Sequence, residues 1–292
     1  MRPNVKYYAT ALGTVTVIAT LWSVTRPAVV AGQGAAAYKA PRTADGQPDI
    51  SGFWQALNTA YWDLEDHGVR KGPYTELVGT YLTQPAGMSV VEGGTIPYKP
   101  EGLAQRKKNL ENRLNPDPFV QEDGVQDYSD PEAKCFQGGV PRVAYMPFPF
   151  QIVQTKTKTL LAYEFAGTAR VVHLDVGRKD LLDIDTWMGQ SVGRWEGETL
   201  VVEARGFVGR RTWLDRAGNY ITPTAVVTER YTPHSPYHLM YEATIDDPAV
   251  FTRPWKIRMP LYRRIDTNMQ LLEFECLPAG EEYAFKSLIK KQ

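Results

Sequence analysis

Arg194-Trp195-Glu196-Gly197-Glu198-Thr199-Leu200-Val201-Val202-Glu203 is the stretch on which the fold reading turns. Two runs of strand formers flank a glycine-containing connection too short for anything but a tight reversal, so the segment reads as a β-hairpin. The same grammar repeats on either side. Residues 225–231 and 239–245 are set to pair across Pro233-His234-Ser235-Pro236, and 256–263 with 269–276 across Asp266-Thr267-Asn268. Upstream, 160–165 and 170–174 flank Ala166-Gly167-Thr168, while 151–159 is rich in residues that favour extended backbone. About eight or more short strands, with turn signals every 8–12 residues, predict a mainly β fold: an antiparallel barrel-like, lipocalin-like core over 141–292. No glycine-rich dinucleotide or phosphate loop interrupts it.

The chain before residue 140 reads differently. Asp49-Ile50-Ser51-Gly52-Phe53-Trp54 opens a short strand, and Tyr61-Trp62 supply apolar anchors. One helix is predicted over 101–114. Pro100 suits its first turn, Leu103, Leu110 and Leu114 share a face, and Asn115-Pro116-Asp117-Pro118 stops it. The rest of 38–140 is turn-rich and is expected to wrap the β core, so that 38–292 makes one domain.

Residues 1–37 carry a different message. Arg2 and Lys6 precede a moderately apolar, uncharged run, and small residues follow at Val29-Val30-Ala31 and Ala35-Ala36-Ala37. That order is the layout of a signal peptide, with cleavage expected near 31 or 37. A retained anchor is the competing reading, but threonine, serine and glycine dilute the apolar run below what a stable span wants. The expected destination is periplasmic or secreted. The 292 residues carry 33 basic and 33 acidic side chains, so no basic surplus exists for a nucleic-acid backbone. Only two cysteines are present, Cys135 and Cys276. In an oxidising compartment such a pair reads as one disulfide.

Several constellations invite chemistry. Gly189-Gln190-Ser191-Val192-Gly193 matches the nucleophile-elbow pattern, yet a strand hairpin follows where that motif needs a helix, so a glycine-rich start to a strand is the better account. His234 and His238 are four apart, but Pro233 and Pro236 argue against the helix that would put them on one face. Asp183 with Asp185, and Asp246 with Asp247, lack the length and glycine of a calcium loop and read as turn caps. No metal or cofactor is expected. Glu229 and Arg230 are neighbours on one strand, so one of them must face the inside of a closed sheet. The densest mix of aromatic walls and polar groups lies where the tryptophan-rich hairpins meet the Asp-Asp-Pro turn. Trp187, Arg194, Trp195, Tyr241 and Trp255 are the candidate binding residues there. Asp246, then Glu229 and Asp185, are the candidate acids or bases.

The segment Gly189 to Val202 resembles a signature, GxSxGxWEG(D/E)TLVV in outline, of a group of mostly uncharacterised exported bacterial proteins. The resemblance extends to Cys135 with Gly139-Val140-Pro141-Arg142, to Glu229-Arg230-Tyr231, and to Thr244-Ile245-Asp246-Asp247-Pro248 followed by Pro254-Trp255. It implies export and a β-rich fold. Members often carry His-Pro where Lys179-Asp180 follows Gly177-Arg178 here, and a histidine near the place of Thr222-Pro223-Thr224. The reading favoured at this level is a cofactor-independent enzyme of lyase, isomerase or hydrolase type, acting by acid–base chemistry on a small apolar or aromatic molecule. A periplasmic carrier for such a molecule and an envelope-assembly partner are the alternatives.

Overall fold

In the computed structural model the described residues are 38–71, 83–113, 130–134, 136–208 and 212–274. Nine strands close a barrel: β1 (Gly52–Ala56), β2 (Phe150–Gln154), β3 (Lys158–Tyr163), β4 (Ala169–His173), β5 (Gln190–Glu196), β6 (Thr199–Arg205), β9 (Val226–Ser235), β10 (His238–Asp246) and β11 (Trp255–Arg263). Their order around the wall is β1-β11-β10-β9-β6-β5-β4-β3-β2, and β2 pairs with β1 to finish the ring. Strands β7 (Thr212–Trp213) and β8 (Tyr220–Ile221) form a separate ribbon between β6 and β9. The barrel is therefore as expected, with one correction. Its pairings are antiparallel except β4–β5, which is parallel and holds only two register pairs, Val172 with Ser191 and His173 with Val192.

Alternation decides which side chains fill the barrel. Val227, Glu229, Tyr231 and Pro233 of β9 face in, as do Leu239, Tyr241, Ala243 and Ile245 of β10 and Trp255, Ile257, Met259 and Leu261 of β11. The central hairpin is as read: β5 and β6 turn through Gly197-Glu198, with Gly197 at φ +61°, the position at which a two-residue connection wants glycine.

Three strand predictions need correction. The β9–β10 turn is Pro236-Tyr237 rather than 233–236, because β9 runs on through Pro233 and His234 to Ser235. Pro233 has no N–H to give the ladder, and the β9–β10 register shifts beside its partner, between His238 and Leu239. Residues 151–159 are not one strand: Thr155 accepts the Lys158 amide on its hydroxyl and turns the chain between β2 and β3. The partner expected for 256–263 at 269–276 is not a strand over its described part, 269–274, and β11 pairs instead with β10 and β1. Leu272 is exposed, while Phe274 packs against Phe165 and Phe148. Cys135 and Cys276 lie outside the described residues, as do residues 1–37.

The N-terminal wrap supplies a wall as well as a cover. Trp54 of β1 is fully buried and donates its indole N–H to the Ile50 carbonyl at 2.9 Å. The helix α1 (Pro100–Asn112) starts on proline as expected, but its buried face is not the leucine face. Gly102 and Asn109 are buried, whereas Leu103 is exposed and Leu114 lies outside the described residues. The reason is docking by polar groups at short range. Asn109 donates to the Gly218 carbonyl at 3.0 Å, Arg106 pairs with Asp63 at 3.3 Å, and a Cβ on Gly102 would lie 2.8 Å from the Val250 carbonyl. Beside it, buried Arg142 bridges Asp130 (2.6 Å) and Glu132 (2.5 Å), and Arg216 pairs with Glu132 while lying over the Trp62 ring. Burial pushes the Glu132 carboxyl up, but these two guanidiniums more than reverse it and hold the group below its ordinary range. Among the described residues no helix is long and apolar enough to cross a membrane.

Candidate functional site

The short parallel seam creates the site. Parallel neighbours need a crossover of about a dozen residues or more, and the chain from β4 to β5 makes it through 174–189. The returning arm is stitched to the chain after β6 rather than to β4. Thr186 donates to the Gly206 carbonyl at 2.8 Å and accepts from the Val208 amide at 3.1 Å. Farther out, the Gln190 amide group donates to the Ile184 carbonyl at 2.7 Å. The first residues of β4, Ala169–Val171, are thus left without a partner on the β5 side. A cavity of about 480 Å³ opens there. Its apolar walls include Val171, Leu181, Trp187 and Met188, and its polar groups include Arg170, His173, Asp185, Gln190 and Ser191. Trp187 is braced by Phe136, with ring centroids 5.0 Å apart.

Gly193 makes the seam possible. A Cβ at that position would lie 2.6 Å from Val172 Cγ1 and 3.2 Å from the Val201 carbonyl oxygen. Its hydrogen lets the inward face of β4 close on β5.

Behind the seam lies a charged pair inside the barrel. Arg170 Nη2 donates to Glu229 Oε2 at 2.6 Å, and the two side chains are 2% and 1% exposed. Glu229 Oε1 accepts the hydroxyls of Tyr231 (2.9 Å) and Tyr241 (2.8 Å). Burial and then the Glu229 charge push both phenols well above their ordinary range, so they stay protonated and remain donors. Burial alone would lower the Arg170 guanidinium, but the facing carboxylate more than offsets it and its pKa is raised. The Glu229 carboxylate thus already serves three donors, one guanidinium and two phenols.

Arg170 is only half used. Its Nε and Nη1 are buried without a hydrogen-bond partner, and so is the Ser191 hydroxyl, and both residues line the cavity. Such orphan donors are uncommon in folded interiors.

Of the candidate binding and acid–base residues named from sequence, Trp187 and Asp185 line this cavity, together with Gly189, Gln190 and Ser191 of the nucleophile-elbow pattern. The others do not join them. Glu229 faces inward, as its strand position allowed, and Tyr241 is its partner in the barrel interior. Arg194 points outward with 64% of its side chain exposed and pairs with Glu196. Trp195 faces in from β5, next to the core. Trp255 is buried against Phe251, 5.3 Å between centroids. Asp246, at the end of β10, faces away from the barrel interior. The expected cluster is thus dispersed over the wall, because alternation sends neighbours such as Arg194 and Trp195 to opposite faces.

The turn-cap reading of the Asp-Asp-Pro segment fits Asp247, which accepts the Thr222 amide at 2.7 Å and the Ala249 amide at 3.2 Å. The nucleophile-elbow pattern fails on geometry. Ser191 stands within strand β5, and its register neighbour Val172 faces in while His173 faces out, so hydroxyl and imidazole lie on opposite faces of the sheet. Among the described residues no three His, Cys, Asp or Glu side chains gather closely enough to hold a metal ion.

Arg170 is the residue that the sequence reasoning missed. A signal was present: in Ala169-Arg170-Val171-Val172-His173, an inward Val172 forces Arg170 inward too. No family model matches this chain, and neither the curated proteins nor the solved structures contain a match to it.

Proposed function

We propose that this chain is an exported binding protein for a small, flat, largely apolar molecule, held in the cavity at the β4–β5 seam. The observation that carries the reading is the cavity itself: an indole and aliphatic walls with a few convergent polar groups, in the volume range of small-molecule sites. The carrier reading is preferred to the acid–base enzyme because Glu229, the inward acid, already holds an arginine and two phenols. Export rests on the charged, apolar and small-residue order of 1–37, and the Cys135–Cys276 bridge rests on that destination.

One observation supports a second reading, lyase- or isomerase-type acid–base chemistry in the same cavity: Asp185 and His173 line it together. The test is a panel of aromatic and apolar compounds screened by the shift in melting temperature, repeated on Trp187→Ala. Stabilisation of the parent protein that disappears in the variant is the expected result. Equal shifts in both would remove the cavity from the argument, and turnover of a bound compound would favour the enzyme.

A further inference from the structure

We infer that the molecule held at the seam carries an apolar tail, which leaves the cavity past Val171 and lies across the outer wall of the barrel over Leu160 and Val153. This rests on the reading of the cavity as a binding site and goes further by giving the ligand a second part, an unbranched alkyl or acyl chain. Alternation places Val153, Leu160 and Val171 on the outward faces of β2, β3 and β4. Register then sets them side by side, Val153 opposite Leu160 and Leu160 opposite Val171. With neighbouring strands about 4.8 Å apart, the row is about 10 Å long. Val153 and Val171 are 39% and 41% exposed, and Leu160 between them is half-buried. Val171 is also a wall of the cavity, as are the other two outward residues of β4, Ala169 and His173. The cavity therefore borders the outer face of the sheet, and the row begins at its edge.

The strip has the proportions of a single chain. Beside the row, Ala162 pairs with Ala169, and these short outward side chains leave a step next to the taller Leu160 and Val171. On the other flank Lys158 pairs with His173, so the apolar strip ends there in polar residues. A contiguous apolar surface with a polar rim marks a place that something covers. Continuity with the cavity decides what covers it. A ring seated against Trp187 puts its substituent beside Val171, from which Leu160 and Val153 follow with no polar residue between them. The crossover arm also exposes Leu182 and Ile184, but Asp183 and Asp185 alternate with them and break that side into separate apolar spots.

The test uses three ketones on the full chain, 2-acetonaphthone, 2-hexanoylnaphthalene and 2-decanoylnaphthalene, which share the ring and differ in the tail. Affinities are read by quenching of tryptophan fluorescence, with Trp187→Phe to assign the signal. A fully buried methylene is worth about fourfold in affinity, and one lying on the strip with its far side in water about twofold. The decanoyl ketone is therefore expected to bind at least about tenfold more tightly than the acetyl ketone. Val153→Asn and Leu160→Asn should each remove most of that gain and leave 2-acetonaphthone unchanged. If Leu160→Asn does not fold, Val153→Asn, at the more exposed position, decides alone. Equal affinity for the three ketones with a Trp187-dependent signal would overturn the tail proposal while leaving the cavity reading intact. A tail gain that survives the strip variants would overturn it too, and its loss in Leu182→Asn would put the tail on the crossover arm. A parent protein that sediments as a dimer, and as a monomer with Val153→Asn, would give the strip to a second copy and overturn the proposal. Failure of all three ketones to bind would remove the cavity reading and this proposal with it.

Discussion

Arg170 and Glu229 meet at 2.6 Å inside the barrel although 59 positions of sequence separate them. They come from β4 and β9, with β5 and β6 between those strands in the wall, so the contact spans the interior rather than neighbouring strands. Burying two charges costs more than their attraction returns unless further hydrogen bonds share the load. Here Tyr231 and Tyr241 do so for the carboxylate. Glu229→Gln keeps the phenol acceptor but strands the guanidinium. The expected loss is about 3–5 kcal/mol of unfolding free energy, read by urea denaturation. Adding Arg170→Met should restore most of it, because the stranded charge is then gone. A double variant no more stable than Glu229→Gln would mean that the pair acts through something other than charge.

Gly193 and Val172 set the width of the parallel seam. Gly193→Ala places a methyl 2.6 Å from Val172 Cγ1, and the Val201 carbonyl at 3.2 Å blocks retreat on the other side. The expected cost is about 1–3 kcal/mol, the usual range for overpacking a filled interior. Combined with Val172→Ala, the total loss should fall short of the sum of the single losses. Strict additivity, measured by urea denaturation of the three variants, would show that the seam is not held by this contact.

Much of the barrel was legible because period-two alternation and a glycine turn are local signals. The β5–β6 and β3–β4 hairpins follow from 194–202 and 160–174 with no knowledge of the rest. The parallel seam was not legible. It depends on the crossover through 174–189 being tied to 206–208, and no local pattern marks Thr186 for that role. The cavity inherits that opacity, since it exists only because the crossover passes β4 at a distance. Sequence neighbours such as Arg194 and Trp195 suggested a shared site, yet strand geometry separates them. Arg170 escaped for the opposite reason: a charge in a strand reads as outward until a partner such as Glu229 is known.

Asp215 supplies a pH dependence with a definite sign. Its carboxyl is buried and accepts the amides of Leu64 (2.9 Å), Ala217 (2.9 Å) and Asn219 (3.1 Å). Burial, reinforced by the neighbouring Asp63, pushes it from 3.8 up to about 7. A folded-state value above the unfolded one means the native protein binds the proton more tightly. The stability gained from this group is therefore complete below about pH 4 and disappears as the pH rises through about 7. Asp215→Asn cannot titrate, so the stability of the parent relative to this variant should decline between pH 4.5 and 7.5. Urea denaturation of both proteins across that range measures the difference. A gap that stays constant or widens with pH would contradict the assignment.

Asp246 and Asp247 are adjacent, and the structure divides their roles. Asp247 is 1% exposed and accepts the Thr222 amide, the Thr222 and Thr224 hydroxyls, both at 3.0 Å, and the Ala249 amide. Removing that buried carboxylate leaves the half-buried Thr222 amide and hydroxyl without this acceptor. Asp247→Ala should therefore cost about 2–3 kcal/mol, with the largest loss of hydrogen-exchange protection around 222–225 and 247–251. Asp246 is the half-buried last residue of β10, on the outer side of the wall, and no hydrogen bond of its side chain is among those that hold the turn. Asp246→Asn should change stability by less than about 0.5 kcal/mol. It should also leave probe binding at the seam unchanged, since Asp246 does not line that cavity. A loss of binding in a stably folded Asp246→Asn protein would return this residue to the working site and move that site away from the seam.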